Sequence, residues 1–209
     1  HVLRRRQRQM CIRDRLREIY ALNDDLNKEA VLKNTLDLEI NYPWELNETN
    51  YSEDELKNRD KWQSIFMPSG AFVAGRTDQK HWLTFGTPET LPLLYGNYPI
   101  LMTDENAEAP IRIGELIDNP DINEFRSINW STLPAGKDIK VRMSGLIWPE
   151  AAQRIANSAY LTRERVGKGQ IILFAGEPNF RGSTRGTNRV WLNAIVYGPG
   201  LGTSPKIDL

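Results

Sequence analysis

The residues with the greatest chemical capacity lie between Gly176 and Gly186, where Glu177, Asn179, Arg181 and Arg185 fall within one polar, Gly-rich loop. A carboxylate, a carboxamide and two guanidinium groups at this spacing could bind an anionic or peptide-like ligand. They could equally satisfy one another, with the arginines paired to Glu177 and Asn179 bonding its own backbone. His81, beside Trp82 in a turn-rich stretch, is the other candidate, as a ligand contact or as a structural residue.

Catalytic chemistry finds little else to work with. A zinc site needs about three His, Cys, Asp or Glu ligands. His81 is the only internal histidine, and no His-x-x-Glu or His-x-x-x-His spacing occurs. Ser144 precedes Gly145 after a short strand, but it lacks the Gly-x-Ser-x-Gly frame of a nucleophile elbow. The Gly-x-Gly spacings near Gly167 and Gly198 do not stand between a strand and a helix, as phosphate binding by a dinucleotide fold would require. The reading from the residues is therefore no catalytic residue, no metal and no cofactor in this chain.

The elements flanking the 176–186 loop follow from pattern. Gln170 to Ala175 holds the continuous apolar run Ile171-Ile172-Leu173-Phe174, which predicts a strand buried on both faces at the centre of an α/β layer. Thr187 to Tyr197 predicts a helix, with Thr187 as N-cap and Val190, Trp191, Ala194, Ile195 and Tyr197 on a wide apolar face. Gly198 is expected to end it in the left-handed conformation before Pro199. Ligands in α/β sheets bind at loops beyond strand ends, which again selects the 176–186 loop.

Upstream, Ala159–Val166 and Gln170–Ala175 flank Gly167-Lys168-Gly169, a hairpin signal. Pro149 opens a helix expected to run through Asn157. Ile139 to Met143 alternates as a strand, Ile111 to Gly114 is a further short one, and 115–136 reads as irregular around the turn Asp118-Asn119-Pro120. Between Lys61 and Asp104, apolar residues punctuated by glycine and proline predict short strands and tight turns. Ser52 and Glu55 match a capping box for a short exposed helix. Leu16 to Leu36 is charged and amphipathic, suited to one helix or two.

His1 to Arg15 holds six arginines and one acid. Its string QMCIRDR resembles a translated sequencing adapter, so the segment is expected to be non-native and the chain truncated upstream. Taking six from 27 basic residues and one from 27 acidic residues leaves 21 and 26, a net charge of −5. Nothing then favours phosphate-backbone binding by nucleic acid. Cys11, the only cysteine, falls in the same segment, so no disulfide or thiol chemistry is argued. No apolar run approaches the roughly 20 residues that span a bilayer, and no membrane association is expected.

Ser144 to Gly200, most specifically GQIILFAGEPNFRG followed by RGTNRVWLNA, resembles the carboxy-terminal region of bacterial zinc carboxypeptidase-like proteins of the carboxypeptidase A superfamily. His81 to Leu94 is similar to that family's turn-rich segment. The resemblance implies a class I glutamine amidotransferase-like domain, a flavodoxin-like α/β sandwich truncated at its start and carrying turn-rich β insertions. It departs from active amidotransferases: the cysteine elbow is absent, and Ala175-Gly176-Glu177-Pro178 has no histidine. What is implied is a non-catalytic accessory domain at 62–203, after a non-native segment at 1–15 and a lead-in at 16–61, with a tail at 204–209. Its implied partner is the protein's own upstream peptidase domain, where zinc would reside. The alternative is a stand-alone peptide- or carbohydrate-binding module using the 176–186 loop. The residues fix no compartment; many members of the family are exported.

Overall fold

A computed structural model describes residues 52–129 and 131–201. These belong to one compact unit, spanning 42–209. The expectations for 1–51 and for 204–209 lie outside the described residues.

Helix α1 (Glu53–Gln63) begins with the expected capping box. The Glu55 N–H donates to Ser52 Oγ, and the Ser52 N–H donates to the Glu55 carboxylate at 2.8 Å. The chain then forms strands β1 (Ala71–Thr77), β2 (Thr90–Tyr95), β3 (Ala107–Ile113), β4 (Glu115–Asp118), β5 (Arg126–Ile128), β6 (Ser131–Leu133), β7 (Lys137–Lys140) and β8 (Arg142–Ser144). Helix α2 (Pro149–Ile155), strands β9 (Ala159–Val166) and β10 (Gly169–Phe174), and helix α3 (Arg185–Tyr197) complete it.

The class is mixed α/β, and the main sheet is curled and antiparallel. Its order is β10-β9-β3-β1-β2, with β8 also on β1, and all these pairings are antiparallel. Register shifts between β3 and β9 and between β1 and β8 supply local bends. Two ribbons, β4-β7 and β5-β6, stand apart from this sheet. Side chains of both, together with α2, contribute Ile128, Leu133, Ile139, Ala151, Ala152 and Ile155 to the same core as Val73, Leu93, Ile111, Ile113 and Leu161 of the main sheet. Each buried Ile, Leu or Val among these contributes about 1.5–3 kcal/mol.

Several sequence expectations are corrected. The Gln170–Ala175 run is not buried on both faces: β10 is an edge strand whose Ile171 and Leu173 are 45% and 50% exposed. The unbroken apolar pattern could not separate a central strand from an edge strand with one exposed face. The 115–136 segment is not irregular, since it holds β4, β5 and β6. Helix α2 ends at Ile155, and Asn157 leaves it with φ +62. Helix α3 begins two residues earlier than expected, with Thr184 as its N-cap. Gly198 stays right-handed at φ −53, so its glycine is not required by a left-handed turn.

Other expectations hold. Gly167, at φ +58, turns β9 into β10 through a two-residue loop. Pro149 occupies the first turn of α2, and Asn119 Oδ1 accepts from the Asp121 N–H in the expected turn. The open carbonyls at the end of α2 are met by Asn129, whose Nδ2 donates to Gln153 O and Ala156 O at 2.7 and 2.6 Å.

Candidate functional site

The loop after β10 leaves the sheet where the Ala175 N–H donates to Tyr160 O. It then makes a single tight turn over Phe180–Gly182. Arg181 is held at φ +50, a conformation uncommon for a side chain of its size, with its guanidinium 5.1 Å from the centre of the Phe180 ring. Glu177, Asn179, Arg181 and Arg185 are all exposed. Among the described residues no ion pair joins Glu177 to either arginine, so the loop is not held by the internal pairing that was its simplest explanation.

Of these four, Asn179 lines a concavity. Together with Asn188, Trp191 and Leu192 of α3 it borders a shallow groove of about 340 Å³. Asn188 Oδ1 is buried there without a hydrogen-bond partner. An indole beside two carboxamides suits a sugar ring or a peptide amide, since such groups combine an apolar face with paired donors and acceptors. Asn188 and Trp191 were legible only as helix residues, because their meeting with Asn179 depends on where the loop folds back.

Helix α3 is anchored through its C-terminal half. Asn193 is buried, and its Nδ2 donates to Leu83 O and Phe85 O, both at 2.9 Å, fixing the helix to the turn that contains His81. Just beyond its C-terminus Gln170 Nε2 donates to Gly198 O and Leu201 O. Gly186 lets the first turn of the helix approach the sheet, since a Cβ there would lie 2.3 Å from Leu91 Cδ2. The outward side is apolar: Leu192, Ile195 and Val196 are 48%, 52% and 65% exposed.

His81 serves a different cluster. Its Nδ1 accepts from the Leu83 N–H at 3.1 Å, which places the proton of the neutral ring on Nε2, 3.0 Å from Glu108 Oε2. Arg163 Nη1 bonds the same carboxylate oxygen at 2.9 Å, and its Nε donates to Gln170 Oε1 at 2.8 Å. The chain His81–Glu108–Arg163–Gln170 therefore ties the 3-10 turn Trp82–Thr84, β3, β9 and β10 to the end of α3. Both ring nitrogens of His81 are engaged within the fold, and no hydrogen bond connects it with Ser144 or with the 176–186 loop. Among the described residues no group of three or more His, Cys, Asp or Glu side chains is placed to hold a metal ion.

Desolvation opposes ionisation of Glu108 and is the largest single influence on it. The hydrogen bonds and charges of Arg163 and His81 together outweigh it, so the carboxyl lies below its ordinary value of 4.5. A carboxyl lowered by folding stabilises the protein above pH 4.5, and that contribution is lost as pH falls through the folded value. Glu108→Gln is accordingly expected to lower the urea midpoint at pH 7. The gap from the unsubstituted protein should narrow below pH 4.5 and close in stronger acid. A gap that is constant from pH 7 to pH 3 would place the effect in packing rather than charge.

No family profile, curated protein or solved structure matches this chain.

Proposed function

We propose that this chain is an accessory domain of a zinc carboxypeptidase-like protein, acting by binding rather than by turnover. The observation that carries the reading is the outward face of α3. Leu192, Ile195 and Val196 recur at helical spacing on one side and stand in solvent, where burial against a second domain would gain free energy. Edge strand β10 adds Ile171 and Leu173, without a proline or charge to blunt it. The resemblance over Gly167 to Gly198 covers these same two elements and supplies the identity of the partner, a peptidase domain of the intact protein. The finer part of the resemblance, a flavodoxin-like sandwich at 62–203, calls for parallel strands, whereas the pairings of the main sheet are antiparallel, so the accessory-domain reading rests on the exposed apolar faces and not on that sandwich.

The test is co-expression of residues 16–209 with the peptidase domain expected upstream in the gene. The two should copurify, and Leu192→Glu with Val196→Glu should abolish association without lowering the melting temperature of 16–209. Purified alone, the chain should show no glutaminase or carboxypeptidase turnover. The Asn179–Asn188–Trp191 groove favours a second reading, a module that binds a sugar or peptide. Failure of the domains to associate, with an oligosaccharide- or peptide-induced thermal shift lost in Trp191→Ala, would move the function to that groove.

A further inference from the structure

Arg76 on β1 and Arg112 on β3 are directly opposed in the sheet, so their side chains leave the same face side by side. Both are half-buried. Like charges directly across a strand pair repel, and removing them from water makes that repulsion costlier. Their partners do nothing to neutralise them. Arg76 Nη1 donates to Gly114 O at 3.2 Å and Nη2 to Asn157 Oδ1 at 2.9 Å. Arg112 Nη1 donates to Asn157 O at 3.2 Å and Nη2 to Thr103 Oγ1 at 2.9 Å. All four acceptors are uncharged.

The contrast with other arginines is informative. Arg126, Arg154 and Arg163 each meet a carboxylate, of Asp138, Asp60 and Glu108 respectively. Among the described residues no carboxylate forms an ion pair with Arg76 or Arg112. Burial lowers the proton affinity of both, and for Arg76 the neighbouring charge of Arg112 lowers it further. A guanidinium nevertheless stays charged at any physiological pH. Each Nη makes one of these bonds and so keeps a second N–H, and both side chains retain partial solvent exposure. Asn157, fully buried, bonds one guanidinium through its side chain and the other through its backbone, and thereby holds the pair together.

We infer that Arg76 and Arg112, aligned by Asn157, form a subsite for an oxyanion that bridges the two guanidinium groups. Two planar forks on one face match the paired oxygens of a carboxylate, phosphate or sulfate, and charge-assisted bonds to such a group would replace repulsion by attraction. The subsite does not depend on an adjoining peptidase domain, so it stands or falls separately from the accessory-domain reading. The anion could be free in solution or could be the terminal carboxylate of a peptide.

Thermal unfolding of the full chain in low-salt buffer decides the matter. Sodium sulfate or phosphate at millimolar concentration should raise the melting temperature saturably by about 3–5 °C over sodium chloride of equal ionic strength. Arg112→Gln should abolish the difference. The variant's baseline sets relief of the like-charge contact against loss of the bonds to Asn157 O and Thr103 Oγ1, so the decisive quantity is the difference between sulfate and chloride within each protein. A short peptide with a free carboxy terminus that reproduces the shift, while its amide does not, would identify a chain terminus as the source. A response to inorganic anions alone would identify a free oxyanion. Equal responses to sulfate and chloride, or a sulfate response that survives Arg112→Gln, would overturn the subsite.

Discussion

Asn157→Ala is expected to destabilise the domain by roughly 3–5 kcal/mol, the cost of several unsatisfied buried groups plus a left-handed backbone. Its Nδ2 donates to Ile128 O at 3.3 Å and Ser131 O at 2.9 Å, and its Oδ1 accepts from Arg76. Alanine removes every one of these bonds and leaves two carbonyls and a guanidinium N–H short of a partner. It also places a Cβ-bearing residue without a compensating polar side chain at φ +62. Asn157→Gly separates the two contributions, because glycine accepts that φ but forms none of the bonds. Urea unfolding should therefore show the glycine variant less stable than the parent, yet about 1 kcal/mol more stable than the alanine variant. Equal stability of all three would mean that the side-chain bonds contribute nothing net.

Gly114→Ala is expected to cost about 2–5 kcal/mol, from backbone strain and overpacking acting together. Gly114 sits at φ +106, well outside the regions open to residues with a side chain. Its missing side chain also makes room for Ile139: a Cβ would lie 2.3 Å from Ile139 Cδ1 and 2.4 Å from Cγ1. Ile139 is buried in the core, so it cannot swing aside into solvent. The position is further constrained by the Gly114 N–H bond to Ala74 O and by Arg76 on its carbonyl. A double-mutant cycle separates the causes. In an Ile139→Ala background the packing part of the Gly114→Ala penalty should disappear and the backbone part should remain. An undiminished penalty would assign the whole effect to φ.

Both positions bear on the candidate sites. Asn157 and Gly114 hold the two arginines on one face of the sheet, while Asn193 and Gln170 hold α3 with its apolar side outward. In each case polar groups within the fold, the side chains of Asn157, Asn193 and Gln170 and the Gly114 carbonyl, determine what the surface offers. The 176–186 loop, by contrast, is attached at its ends and contributes one residue, Asn179, to the groove.

What the sequence alone determined is local. The Ser52–Glu55 capping box, Pro149 at the start of α2, the Gly167-Lys168 hairpin turn and the loop between β10 and α3 follow from the preferences of a few adjacent residues. These act within a turn or two of chain and need no tertiary partner. Tertiary structure alone decided that β10 is an edge with one exposed face, because an apolar run records the preference for a strand, not how many neighbours it has or how many of its faces are covered. It also decided that 115–118 forms a strand, since its partner β7 lies about 20 residues further along the chain, whereas β5 and β6 pair locally with each other. The opposed Arg76 and Arg112, 36 positions apart in the numbering, became one feature only through the β1–β3 register. Asn157, 81 residues from Arg76, became their holder only when α2 ended beside them. Long-range pairing set these positions, and no local pattern encodes it.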